Sequence, residues 1–309
     1  MDAKQLRHEP VMVDEVMDAL SLRAGMTAVD MTLGLGGHAL RMIEAVSPGG
    51  TVMGFDWDQA MLSIAAERIG APEAITVKLV HRSFKDPDAF GVDLGDLRPN
   101  GILCDLGLNS AQVDDAQRGF SFSQSGPLDM RMDRSRGEPA AAVLNRMSPA
   151  QIERMLLELG GERWAKAIAK TIVERRKTEP LKTTDDLTRC VLDTIPPKAR
   201  DTRIHPATRT FQAVRIFVNR ELEGLDEALE AAARSLAPAG VLAVLSYHSG
   251  EDRIVKNLFR GLAEQGYQEM YRKPVIAGEQ EVRRNPRSRS AKLRALRRAR
   301  EERSQGETT

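Results

Sequence analysis

Only two cysteines occur in 309 residues, Cys104 and Cys190. They form no CxxC pair, which argues against a zinc ribbon and against a disulfide framework, and no metal site is expected. Cys104 lies inside an apolar run, where a cysteine is a small buried hydrophobe rather than a nucleophile. Aromatic residues are scarce as well, at 4%, so a core has to be built from aliphatic side chains. No apolar stretch approaches the length that crosses a bilayer, and the opening MDAKQLRHEPVMVDEV carries no uninterrupted apolar targeting run. A chain working away from membranes, in a reducing cytoplasmic setting, is expected. Charge of one sign is missing too. With 45 basic and 44 acidic residues the net charge is +1, which favours no class of partner.

What is present suffices for one large or two modest domains, with 41% hydrophobic and 29% charged residues. Short β-prone runs alternate with helical patterns in the first third: TAVDMTL (27–33), GTVMGFD (50–56), ITVKLVH (75–81) and GILCDLG (101–107). Near-continuous apolar strands separated by helices predict a buried parallel sheet in an α/β fold. The alternation then stops. From 113 to 205 only loops and helices are expected, among them SPAQIERMLLELG, with Ser148 as N-cap and Pro149 at the first helical position. PAGVLAVLSYHS (238–249) reads as a further buried strand. The economical organisation is one α/β domain, 1–112 and 206–309, interrupted by an inserted helical domain, 113–205.

Three glycines crowd VDMTLGLGGHAL (29–40). Such a cluster after a strand is either a tight turn or a loop that lets backbone amides approach a ligand at a helix start. Gly34-x-Gly36-x-x-Ala39 fits the dinucleotide pattern, and Asp56 ends the next strand about 20 residues on, where an acid meets a nucleoside ribose. The ligands that fit are NAD(P) and S-adenosylmethionine. The fourth strand runs into DLGLNSAQVDDAQRGFSFSQSGPLDMRMD (105–133), dense in polar groups. Asp105, Asn109 and Ser110 should face the same crevice as Gly36, since ligands of open α/β sheets bind at strand carboxyl ends. Phe120 and Phe122 are either core anchors or platforms for an unpaired base. In SYHSGEDR (246–253), His248 could act as a base or fix its loop, and an orienting role toward substrate is preferred, with Arg253 beside it. The basic run RRNPRSRSAKLRALRRAR (283–300) is either a solvated tail or an arm that binds RNA phosphate, with Arg287 and Arg289 as contacts; a third reading is that its NPRSRSAKLR stretch packs on the domain, in which case truncation before Arg283 would unfold it.

HEPVMVDEVMDAL, DMTLGLGGHA, DLGLNSAQVDDAQRGFSFSQSGPLDMRMD, GERWAKAIAKTIVERR, HPATRTFQAVRIFVNRELEGLDEAL, YHSGEDRIVK and NPRSRSAKLR together resemble the bacterial MraW/RsmH family over nearly the whole chain. The resemblance implies a class I S-adenosylmethionine methyltransferase fold, Rossmann-like and mostly parallel, with an inserted helical domain for substrate recognition. It implies methylation of N4 of a cytidine in the decoding region of small-subunit ribosomal RNA, free or assembled, and it leaves a homodimer open. Gly36, Gly37 and His38 would contact the methionine end of the donor. Asp56 would take its ribose, Phe84 would lie along the adenosine, and Asp105 and Gln112 would complete the pocket. Asp105, Asn109 and Ser110 would be the catalytic group, accepting hydrogen bonds from the target amine. The chain departs from the family at Asn109 (usually Ser), Tyr247 (usually Phe) and Gly250 (usually Leu), and Thr32 stands where methyltransferase loops commonly have glycine. Two rival readings are an NAD(P) oxidoreductase, suggested by the glycine pattern, and a non-enzymatic RNA-binding protein, suggested by the basic run.

Overall fold

The computed structural model describes residues 10–201 and 204–300; His8 and Glu9 of the opening motif lie outside them. The chain divides into two compact units, Met1–Gly107 with Gly224–Thr309, and Leu108–Glu223.

The first unit holds strands β1 (Thr27–Asp30), β2 (Thr51–Asp56), β3 (Thr76–His81), β4 (Gly101–Asp105), β5 (Val241–Ser246), β6 (Tyr267–Glu269), β7 (Val275–Ile276) and β8 (Lys292–Arg298). Helices α1 (Val13–Leu20), α2 (Gly37–Val46) and α3 (Gln59–Ile69) fall among its first strands. The sheet order is β3-β2-β1-β4-β5-β8-β6, with β7 paired to β8. Strands β1 to β5 are parallel and β8 runs antiparallel to β5 and β6. The fold is therefore α/β with a mostly parallel sheet, as expected. All six residues of β5 are buried, which is why it reads as an unbroken apolar run. Ala28, Val52, Leu103, Ala243 and Leu245 of the strands form one core with Val16 and Leu20 of α1 and Met42 and Val46 of α2. Asp58 caps α3, accepting from the Ala60 amide at 3.1 Å, and Gly70 ends that helix at φ +65°.

The second unit holds α4 (Ser110–Asp114), α5 (Ala140–Arg146), α6 (Pro149–Gly160), α7 (Ala165–Thr178), α8 (Thr184–Thr194) and α9 (Thr208–Asn219). Its bounds, 108–223, are wider than the expected 113–205. The apolar stripe of α9 explains the difference, because α9 packs on α5 and α6. Asn219, at its end, donates to the Met130 carbonyl at 2.7 Å and accepts from the Met132 amide at 2.7 Å. After α9 the chain returns to the first unit through α10 (Leu225–Ser235), α11 (Ser249–Ala263) and α12 (Glu279–Arg284). No helix among the described residues is long and apolar enough to cross a membrane.

The basic run is not a tail. Its last part is β8, an interior strand between β5 and β6. Leu293, Ala295 and Leu296 are buried, and Arg294 and Lys292 both pair with Asp252, at 2.8 and 3.1 Å. Arg298 donates to the Leu236 carbonyl. The expectation of a free phosphate-binding arm is corrected for these residues: Arg294 and Lys292 are tied to Asp252 and Arg298 to a backbone carbonyl, while their neighbours fill the core. Arg287 and Arg289 lie on the exposed turn Pro286–Ser290 that leads into the strand.

Candidate active site

Strands β1, β2 and β4 each end on an aspartate: Asp30, Asp56 and Asp105. From Asp30 the chain turns at once, with the Thr32 amide donating to Asp30 Oδ1 at 3.1 Å. The Thr32 hydroxyl accepts from the Asp105 amide at 2.7 Å, a link a glycine here could not make. Gly34 and Gly36 follow at φ +52° and +75°, the left-handed region that a β-carbon disfavours. Gly36 stands at the N-cap of α2 and supplies no side-chain cap for the first-turn amides, the groups through which a helix start can bind an anionic ligand.

Asp56 closes the other side of this loop. Its Oδ2 accepts from the Gly34 amide at 2.7 Å and its Oδ1 from the Asp58 amide at 2.8 Å. The glycine cluster and the acid beyond it, read separately in the sequence, are thus one hydrogen-bonded unit.

His38, on the first turn of α2, is buried, and neither ring nitrogen has a hydrogen-bond partner among the described residues. Its Nε2 lies 3.5 Å from Asp105 Oδ2. The Asp105 side chain keeps 22% of its surface exposed, so a ligand can reach it. Its other oxygen, Oδ1, accepts from the Tyr247 hydroxyl at 2.7 Å. A buried imidazole without hydrogen-bond partners, beside a loop of glycines and three strand-end carboxylates, fits a ligand with polar and cationic groups.

Burial pushes the Asp30 carboxyl up to about 6, against the opposing pull of His38 and the Thr32 amide. Burial likewise pushes Asp56 up to about 6, although the Asp58 and Gly34 amides favour its charged form. A carboxyl raised in the folded state binds its proton more tightly there than in the unfolded chain. Its stabilising share is complete below about pH 4 and is lost as pH rises through about 6. A rise of that size is worth roughly 3 kcal/mol for one isolated group. Asp30→Asn is therefore expected to stabilise the ligand-free protein by about 1–3 kcal/mol near pH 7.5, and by almost nothing near pH 4. Urea unfolding at the two pH values checks this; a variant less stable than the parent near pH 7.5 would contradict it.

The remaining sequence assignments separate. Gly37 opens α2 beside His38. Phe84 is half-buried in the turn after β3. Asn109, Ser110 and Gln112 stand at the start of α4 in the helical unit. There Asn109 Oδ1 accepts from the Ala111 amide at 3.0 Å, and Gln112 Oε1 accepts from the Asn109 amide at 3.3 Å. Phe120 is buried at 7% exposure, which corrects its reading as a base platform: its ring faces are already covered by protein. Phe122 stacks on His205 at 4.4 Å and meets the edge of Phe211 at 5.4 Å, so it too works as an anchor inside the helical unit. His248 is the N-cap of α11; its Nδ1 accepts from the Gly250 amide at 3.1 Å. The loop-fixing reading of His248 is thus the one its hydrogen bonds display. Arg253 is exposed on α11. Sequence reasoning missed Asp30, because its strand was extended to residue 33. The available signal was that three strands, TAVD, TVMGFD and GILCD, end on the same residue type.

A family model described as the MraW methylase family matches residues 5–299. Ribosomal RNA small subunit methyltransferase H of Geotalea uraniireducens is 46% identical over 308 residues, covering 93% of this chain and 97% of that protein. The protein of the same name from Sorangium cellulosum is 45% identical over 292 residues, covering 94% and 91%. Among solved structures, an rRNA methylase from Streptococcus thermophilus is similar at a TM-score of 0.39 and 11% identity, covering 93% of this chain and 94% of that one.

Proposed function

The chain belongs to the MraW methylase family, and we propose that it transfers a methyl group from S-adenosylmethionine to N4 of a cytidine in small-subunit ribosomal RNA, in the cytoplasm. The relatives that align over nearly its full length carry the name ribosomal RNA small subunit methyltransferase H. The observation that carries the reading is the cluster at the ends of β1 and β4, where the unpartnered His38 ring lies beside Asp105. The NAD(P) oxidoreductase reading is disfavoured by the names of those relatives.

When bound, the donor supplies a sulfonium methyl whose leaving group is a neutral thioether, so neither a metal nor a strong acid is needed. The residues of this chain have two tasks. Gly36, Gly37 and His38 would hold the methionine end, Asp56 the ribose hydroxyls, and Phe84 and Gln112 the rest of the nucleoside. Asp105 would accept a hydrogen bond from the target amine and orient its lone pair, which is otherwise delocalised into the ring. Asn109 and Ser110 follow it in the chain and are assigned to the same amine. The amine proton leaves after transfer, so no tuned base is required. The helical unit is assigned to RNA recognition together with Arg253, Arg287 and Arg289. Photocrosslinks from bound RNA that never reach residues 108–223 would argue against that share.

Asp56→Ala is the test of the donor assignment. Charge-assisted hydrogen bonds are worth about 1.5–3 kcal/mol each, so donor affinity should fall roughly 10- to 100-fold. Calorimetry with S-adenosylmethionine, S-adenosylhomocysteine and NADP reads it. Unchanged affinity in a folded variant, or binding of NADP alone, would remove the methyltransferase reading.

A further inference from the structure

Tyr247 is placed with unusual care for a loop residue. Its ring lies on Gly107, where an added β-carbon would come within 3.3 Å of Cδ2. Gly107 itself stands at φ +100°, a conformation that excludes most side chains, so the backbone makes room for the ring. The Tyr247 amide donates to Glu251 Oε2 at 2.8 Å, and Glu251 is 2% exposed. The hydroxyl then donates to Asp105 Oδ1 at 2.7 Å. Burial and the negative charge of Asp105 push the phenol well above its usual range, so the hydroxyl keeps its proton and remains a donor.

Asp105 is held equally firmly at its backbone, where its amide donates to Thr32 Oγ1 at 2.7 Å. The end of β1 fixes its main chain and the loop after β5 fixes its carboxylate. A carboxylate offers about four acceptor positions. One is taken by the phenol, and the rest are left in a defined plane on a side chain that solvent still reaches.

We infer that Tyr247 is a positioning residue: its hydroxyl locks the Asp105 carboxylate in the orientation in which the remaining acceptor positions meet the target amine. The inference rests on the assignment of that amine to Asp105. The hydroxyl touches neither substrate nor donor in this role. Its contribution is that the acceptor needs no reorientation when the amine arrives, which is where preorganised polar groups gain their effect.

Tyr247→Phe removes the hydroxyl and leaves the ring on Gly107. Single-turnover methylation of small-subunit particles by the full-length variant is measured across a donor titration, with S-adenosylhomocysteine calorimetry and a melting curve alongside. The saturated rate is expected to fall about tenfold, equivalent to roughly 1.4 kcal/mol of activation free energy. The S-adenosylhomocysteine Kd should stay within about twofold of the parent, a split that a general packing defect would not give. Tyr247→Ala serves as the contrast, because losing the ring as well should lower the melting temperature. An unchanged saturated rate in Tyr247→Phe overturns the inference. So does a slow rate that recovers fully at high donor, or one that merely tracks a fall in melting temperature. If the parent protein methylates no small-subunit particle, the functional reading fails first and this inference falls with it. A parent that methylates while the variant matches it overturns the inference alone.

Discussion

Asp105→Ala should lower the saturated single-turnover rate by about 100-fold or more, the range seen when one preorganised polar group is removed from a reacting centre. Alanine keeps the backbone amide that donates to the Thr32 hydroxyl, so the end of β4 stays anchored. What disappears is the acceptor for the target amine, together with the partner of the Tyr247 hydroxyl and the neighbour of His38. A residue that only lined the donor pocket would raise the donor KM and spare the saturated rate. A residue that only fastened its loop would cost thermal stability with and without donor. A donor titration of the single-turnover rate, run beside melting curves, separates the three. Full recovery of the rate at high donor would exclude Asp105 from the chemical step and turn attention to Asn109 and Ser110.

Deleting the chain from Arg283 onward should abolish cooperative folding of the α/β unit rather than merely weaken RNA binding. The deletion removes β8, and with it the strand that joins β6 and β7 to β5. Leu293 and Leu296 leave the core, at about 1.5–3 kcal/mol each. Asp252 loses both Arg294 and Lys292, and β5 is left with an open edge. Those losses together rival the roughly 5–15 kcal/mol that holds an ordinary domain folded. Thermal melting followed by circular dichroism gives the answer. A truncated protein that melts cooperatively within a few degrees of the parent would show that β8 is dispensable. A milder variant, Arg287→Ala with Arg289→Ala, leaves the strand in place and reports on the exposed turn alone.

The places where sequence reading succeeded and failed have a common physical cause. Strands β1 to β5 were readable because parallel strands covered by helices are apolar nearly throughout, and runs such as VLAVLS carry that signature. β8 was hidden because its sequence, KLRALRR, carries four cations among three apolar residues. Two of them share the single carboxylate of Asp252, and that partner is 40 residues or more away in the chain. Local composition cannot reveal a partner at that range. The helical stretch between β4 and β5 is legible from its missing strands, whereas the unit that α9 packs into is not. An amphipathic stripe says that a helix packs and leaves open what it packs against. At the site, the glycine loop and Asp56 are legible from spacing alone, and a hydrogen bond joins them. Phe120 and Phe122 were ambiguous for the converse reason: an aromatic in a polar loop looks the same whether it waits for a base or plugs its own domain.

The insertion of 108–223 also bears on how the sheet is assembled. Gly101 of β4 pairs with Val241 of β5, so in a disordered chain this contact closes a loop of about 140 residues, at roughly 4 kcal/mol of chain entropy. If the helices between them collapse first, on local contacts of low sequence separation, the flexible spacer shrinks to about 24 residues and the entropy to roughly 3 kcal/mol. The difference, about tenfold in an equilibrium constant, makes early folding of the interrupting segment an aid to the domain it interrupts. A segment that divides the sheet in sequence thereby shortens the search by which its two halves find each other.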